Sequence, residues 1–281
     1  MSDQNRRVAF LTEMGLAPVW SQRRTADLLQ ADDEETPVIQ PATPTIVATA
    51  QTWVAEPKSS AWADAEPAKI IAAAQALVKP AMPVNDVAHM EWDQLQSVVS
   101  TCRQCDLCKS RTQTVFGVGD PKAKWLFVGE GPGRNEDFQG EPFVGPAGKL
   151  LDNMFVAMGM RRGENTYIAN VVKCRPTDAN KRDRAPTGEE VNACLPYLER
   201  QIALIQPTVI VALGKTAALS LLKLDPATTL GKLRGTVHRY AGLPVIVTYH
   251  PAYLLRSPAE KSKAWADLCL AMQTYVSSTV V

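Results

Sequence analysis

No run of about 18 consecutive apolar residues occurs in this chain of 281 residues, so no membrane-spanning helix is expected. The opening residues, Met1 to Arg7, lead into no sustained apolar segment; a secretory leader is not expected, and a cytoplasmic location is. No internal repeat is visible, which argues against a solenoid or propeller. Net charge is nearly absent, at +1, so the chain as a whole is neither a polybasic nor a polyacidic binder. Cysteine is scarce, with six in all. In a reducing compartment those six are not a disulfide framework, and clustered ones point to metal or catalysis. What is present fits a globular protein. The hydrophobic fraction is 46%, and the length suits one sizeable domain with an appendage, or two small domains.

The small net charge hides an uneven distribution. Residues 31–68 carry a net −6, residues 1–30 a net +1, and residues 69–281 a net +6. A basic body behind an acidic tether is compatible with a polyanionic partner. Residues 31–68 are rich in Ala, Pro, Thr and Glu without apolar periodicity and read as a disordered linker. This divides the chain into an arm at 1–30, a linker at 31–85 and a folded domain at 86–281. Within the domain, Trp92, Leu95, Val98 and Val99 share one helical face. Strands are predicted at 124–129, 166–172, 208–213 and 244–249. Helices are predicted at 146–159, 187–205, 214–223 and 259–276. Such alternation predicts an α/β fold with a parallel sheet and helices on both faces.

The strand at 124–129 breaks into Gly129-Glu130-Gly131-Pro132-Gly133, followed by Glu136-Asp137 and Pro142-Phe143-Val144-Gly145. Glycines at a strand end bring backbone close to a ligand, and the carboxyl edge of a parallel sheet is where pockets form. Among the cysteines, Cys102-x2-Cys105 can place two thiolates on one metal centre, with Cys174 and Cys194 as distant partners. Spacing alone leaves zinc and a [4Fe–4S] cluster both open, and Cys108 extends the run to C-x2-C-x2-C. Cys269, in an apolar helical setting, reads as a core residue.

Taken in order, several motifs resemble the family 4 uracil-DNA glycosylases, the iron–sulfur class of the uracil-DNA glycosylase superfamily. They are Cys102-x2-Cys105, Arg111-Thr112-x2-Val115-Phe116-Gly117, Gly129-Glu130-Gly131-Pro132-Gly133-x2-Glu136-Asp137 and Gly140-x-Pro142-Phe143-Val144-Gly145. Asn170-Val171-Val172-Lys173-Cys174-Arg175-Pro176, Cys194, Gly214-x3-Ala218 and His250-Pro251-Ala252-Tyr253-Leu254-Leu255-Arg256 follow. The resemblance runs from about Cys102 to about Trp265. It implies a three-layer α/β/α sandwich around a central four-stranded parallel sheet, excision of uracil from single- or double-stranded DNA, and a [4Fe–4S] cluster. Cys102, Cys105, Cys174 and Cys194 match the family's ligand positions; Cys108 matches none.

Such a reaction needs the nucleotide flipped out of the stack and negative charge stabilised on the departing uracil. His250, ending the last strand, can donate an imidazole N–H to uracil O2, and is assigned to catalysis with Glu130. The Asn170 amide can donate to O4 and accept from N3–H, the reverse of what cytosine presents. Phe143 can stack on the flipped base. By resemblance Gly131 lines the same pocket, and Glu136 is placed there too. Family 1 enzymes carry a water-activating Asp where this chain has Gly131, so Glu130, Glu136 and Asp137 remain as candidates for that task. Leu254 is expected to wedge into the hole left by the flipped nucleotide. Arg256, Arg234, Arg175, Lys232 and Lys173 are expected to bind phosphates, with the basic loop Lys181-Arg182-Asp183-Arg184 tracking the backbone.

Two other readings compete. One is a relative of the same superfamily that traps uracil-DNA covalently through a histidine in an inserted basic loop. Here Gly231-Lys232-Leu233-Arg234-Gly235 is short and His238 lies beyond it. The other is a non-catalytic, replication-associated DNA-binding module. Residues 6–23, with Phe10, Leu11, Met14, Leu16 and Trp20, resemble the arm by which the psi subunit of bacterial clamp loaders binds the chi subunit. That resemblance implies recruitment to a replication-complex protein; the chain is otherwise expected to act as a monomer.

Overall fold

The computed structural model describes residues 84–279. The expected arm and linker lie outside these residues, apart from Val84 and Asn85, which begin a 3-10 turn at Val84–His89. In chain order the elements are α1 (Trp92–Ser100), β1 (Val118–Gly119), β2 (Trp125–Gly129), α2 (Arg134–Gln139), α3 (Pro146–Ala157), β3 (Thr166–Asn170), α4 (Gly188–Ile205) and β4 (Val209–Leu213). There follow α5 (Lys215–Leu222), α6 (Leu230–Leu233), β5 (Val237–Tyr240), β6 (Leu243–Thr248), α7 (Pro251–Arg256) and α8 (Lys261–Thr279).

The sheet has six strands in the order β1-β3-β2-β4-β6-β5. The inner four, β3-β2-β4-β6, are parallel, as expected from the sequence, and an antiparallel strand lies at each edge. The edges escaped the sequence reading for a physical reason. β1 is two residues long, and β5 alternates exposed and half-buried positions with no apolar run. Every residue of β2, β3 and β4 is buried, the mark of a strand covered on both faces.

Strand alternation feeds two cores. Leu126 and Val128 of β2 join Ala169, Ile210, Ala212, Val245 and Val247 on one face, packed by Leu198 and Ile202 of α4. Trp125 and Phe127 join Ile168, Val211 and Ile246 on the other, packed by Leu151 and Phe155 of α3 and Leu268 of α8. Each buried Val, Leu, Ile or Phe side chain among them contributes roughly 1.5–3 kcal/mol. The helices start where the sequence supplies caps. Thr187 and Glu190 form a reciprocal capping box on α4. Pro146 and Pro251 stand in the first turns of α3 and α7, where a missing N–H costs nothing.

The chain leaves β2 toward β3 on one side, then crosses to β4 on the other. The carboxyl ends of β2 and β4 therefore flank the switch point where α/β sheets bind ligands. Gly129 pairs with Asn170 in register, and Leu213 with Thr248, so the loops after all four parallel strands open on the same edge.

Candidate active site and cysteine pocket

At the end of β3, Asn170 is 2% exposed, and its side-chain oxygen has no hydrogen-bond partner among the described residues. An unsatisfied acceptor at a pocket edge is costly unless a ligand donor completes it. Gly129 makes room for this group. A methyl there would collide with the Asn170 amide oxygen and come within 2.7 Å of the Phe143 ring. Asn170 and Phe143 thus meet over Gly129. Gly131 is open for the same reason, since a Cβ would lie 2.7 Å from Val172.

Phe143 is held in a left-handed backbone conformation, φ +55°, which a bulky residue adopts only under constraint. The constraints are visible. Glu136 Oε1 accepts from the backbone N–H groups of Val144 and Gly145, each at 3.0 Å. Arg162 donates to Pro142 O at 3.0 Å and Phe143 O at 2.8 Å, and is itself paired with Asp152 at 2.7 Å. Gly148 packs directly beneath, where a side chain would run into the Phe143 carbonyl. The Phe143 ring lies 5.4 Å from the His250 ring at an interplanar angle of 28°.

His250 caps α7, its Nδ1 accepting from Ala252 N–H at 3.1 Å. That bond leaves the proton on Nε2. Burial, then the nearby Arg256 guanidinium, bring its pKa down to about 4, with Glu136 opposing. The imidazole is therefore a neutral N–H donor near pH 7. His250 rests on Gly214, where a Cβ would approach to 3.0 Å.

The three candidate carboxylates differ in their engagement. Both oxygens of the buried Asp137 accept from Thr112 N–H, and Glu136 is bound to the Phe143 loop. Glu130 Oε2 accepts from the Thr216 hydroxyl at the start of α5, its one hydrogen bond among the described residues, which ties the β2 and β4 loops across the switch point. Thr216 was not singled out from the sequence, although it lies inside Gly214-x3-Ala218.

Several expected DNA contacts are corrected. Leu254 is 0% exposed and packs in the second core, so it cannot enter a base step; its neighbours Tyr253 and Leu255 are the exposed ones. Arg234 is paired with the buried Asp267 at 2.7 Å and stacked 4.2 Å over Tyr249. Arg175 is paired with Asp183 at 2.6 Å, and Arg184 makes two bonds to Glu190, so these two guanidiniums are engaged within the protein, while Lys181 and Arg182 of the basic loop are exposed. Lys173 is 1% exposed and donates inward to Asn170 O and Gln201 Oε1. Arg256 remains exposed beside His250.

On the far side of β3, Cys102, Cys105, Cys174 and Cys194 line one pocket together with Cys108. Each of the four expected ligands receives a hydrogen bond at sulfur. Arg111 reaches Cys174 at 3.1 Å, Lys173 N–H reaches Cys194 at 3.2 Å, and Tyr197 reaches Cys102 at 3.3 Å. The Leu107 backbone N–H serves Cys105. Burial pushes the Cys174 thiol up to about 11 and Cys194 to about 12. Burial also lowers Lys173 to about 8, against the field of the Cys194 and Cys174 sulfurs. Burial thus favours the neutral thiol, while the Arg111 guanidinium at Cys174 and the Lys173 ammonium near Cys194 oppose it by favouring the thiolate. Among the described residues no three His, Cys, Asp or Glu side chains are grouped as ligands of a single ion.

Comparison with known proteins decides the family. The model of the uracil DNA glycosylase superfamily matches residues 116–269. The chain belongs to that superfamily. It is 46% identical to the type-4 uracil-DNA glycosylase of Archaeoglobus fulgidus, over 62% of this chain and 88% of that one. The type-4 enzyme of Thermotoga maritima is 45% identical, over 59% of this chain and 85% of that one. A type-5 enzyme of Pyrobaculum aerophilum is 31% identical, over 48% of this chain and 64% of that one. The chain's place is accordingly with the type-4 glycosylases.

Proposed function

We propose that the protein is a uracil-DNA glycosylase of the type-4 class, which hydrolyses the N-glycosidic bond of deoxyuridine in DNA. Free uracil and an abasic site are the products. The observation that carries this reading is the buried Asn170 oxygen beside Phe143, unpartnered among the described residues. Uracil N3–H is the donor it lacks, and cytosine, with an acceptor at N3, cannot supply one. Phe143 stacks on the extruded base. His250 Nε2–H donates to O2 as the bond breaks and charge builds on the ring, without giving up its proton. Glu130, the least engaged of the three carboxylates, orients the water that attacks the sugar. Arg256 engages a backbone phosphate, and exposed Leu255 in place of Leu254 fills the vacated stack.

Cys102, Cys105, Cys174 and Cys194 would hold a [4Fe–4S] cluster, and the four donors at sulfur, with buried Lys173, fit its thiolates. The cluster would supply cross-links among the segment after α1, the loop after β3, and α4. The competing covalent trap is not favoured. His238, on edge strand β5, has its Nε2 held by Leu233 O at 2.7 Å, within the short 231–235 segment. The test is incubation with a uracil-containing oligonucleotide followed by alkaline cleavage. Strand scission with free uracil is expected; a protein–DNA adduct on a denaturing gel, or an intact strand, would sink the proposal.

A further inference from the structure

The four residues after His250 leave an aromatic ring on the surface with an unusual foundation. In α7, Pro251 and Leu254 turn into the core, while Tyr253 is 36% and Leu255 43% exposed. The Tyr253 ring lies 5.0 Å from that of Tyr249 at an angle of 34°. The Arg234 guanidinium sits 4.2 Å over the Tyr249 ring. Arg234 is itself fixed by the buried Asp267 at 2.7 Å and by Lys263 O at 2.7 Å, and the Tyr249 hydroxyl is bound by Glu260. A buried ion pair, a cation–π contact and an aromatic contact thus form a ladder whose last rung is Tyr253, one helical turn from the group that meets uracil O2.

We infer that Tyr253 is a pre-set stacking platform for the nucleobase next to the extruded uracil, and that it biases binding toward single-stranded DNA. The inference rests on the glycosylase reading of His250. Extruding a nucleotide exposes the face of its neighbour, and an aromatic ring accepts any base face irrespective of sequence. Tyr has few rotatable bonds, and the ladder removes most of their freedom before DNA arrives, so little ordering cost remains at binding. In a duplex the neighbouring base is held by its pair and by the opposite strand, so moving onto Tyr253 gains little. In a single strand nothing competes, and the whole stacking gain appears in affinity. The ladder also explains why Arg234, though basic and near the site, is spent internally.

The test uses the full chain and oligonucleotides carrying 2′-fluoro-deoxyuridine, which resists glycosidic cleavage, with 2-aminopurine on its 5′ side in one and its 3′ side in the other. Wild-type protein should quench one of the two probes. Tyr253→Ala should abolish that quenching and raise the single-strand Kd about tenfold, with a smaller change for duplex. Tyr253→Phe should resemble wild type. Tyr253→Leu, which keeps bulk against Tyr249 and so guards against a destabilised Ala variant, should behave like Tyr253→Ala. Quenching that survives in the Leu variant, or an equal loss of affinity for both DNA forms, would overturn the inference. Wild-type protein that shows Tyr253-dependent quenching yet frees no uracil from an unmodified strand would fail the glycosylase reading alone.

Discussion

At the scale of single residues, the site is defined by protons held or withheld. In the proposed mechanism His250 acts as a neutral donor, since burial and Arg256 bring its pKa down to about 4. Folded-state depression of a histidine means that the unfolded chain binds the extra proton first. Stability from this group is therefore full above about pH 6.5 and declines as pH falls toward 4. The acid limb of kcat/KM should lie near pH 4, not near the ordinary histidine value, and Arg256→Gln should move it upward. An acid limb near 6.5 in the wild type would contradict the assignment. His250→Ala should cut single-turnover excision by about 10²–10³, the usual loss of an oxyanion donor. Asn170→Asp presents a second test. An ionised carboxylate accepts at both oxygens and loses the donor to uracil O4, so uracil excision should fall. A protonated Asp could donate toward cytosine N3, so the uracil-to-cytosine rate ratio should narrow as pH is lowered. An unchanged ratio would place base selection elsewhere.

At the scale of elements, the sequence was legible where periodicity and glycine carry the information. The four inner strands and the helices at 146–157, 188–205 and 215–222 follow from apolar runs bounded by caps and glycines. α2 and α7 were not legible, since six residues hold too little periodicity to separate a helix from a loop. That is also why Leu254 was misplaced. Its burial depends on α7 forming at all, and the side chains that show from a helix differ from those that show from a loop. The Phe143 loop teaches the same lesson. Phe143 itself could be read from its motif, but Arg162, 19 residues further on, could not, because nothing in the spacing says that it bonds the loop carbonyls. Arg162→Ala should let Phe143 relax from its left-handed backbone. Excision should fall about tenfold through KM more than kcat, as uniform binding is lost, with Arg162→Lys restoring part. If Arg162→Ala added a further full loss in a Phe143→Ala background, the effect would not run through Phe143.

At the scale of the molecule, two regions outside the base pocket remain to be weighed. The cysteine pocket joins segments that lie far apart in the sequence, so its loss should be felt globally. Anaerobically purified protein should be brown with iron bound; Cys174→Ser or Cys194→Ser should lose iron and lower the melting temperature. Cys108 is the harder case, because it lines the same pocket. Cys108→Ser should keep iron, and loss of iron in that variant would redraw the ligand set. The other region is residues 1–68, for which the argument rests on sequence alone. Phe10, Leu11, Met14, Leu16 and Trp20 offer more apolar surface than so short a segment can bury by itself, and the stretch behind them carries a net −6. The sheet, both cores and every residue assigned to the reaction lie within 84–279. An anchor on a tether would raise the concentration of enzyme at a replication-complex protein without touching the chemistry. Deleting residues 1–68 should therefore leave oligonucleotide excision and melting temperature unchanged while abolishing association with that partner. A drop of several degrees in melting temperature would make the arm part of the fold, and recruitment would lose its basis.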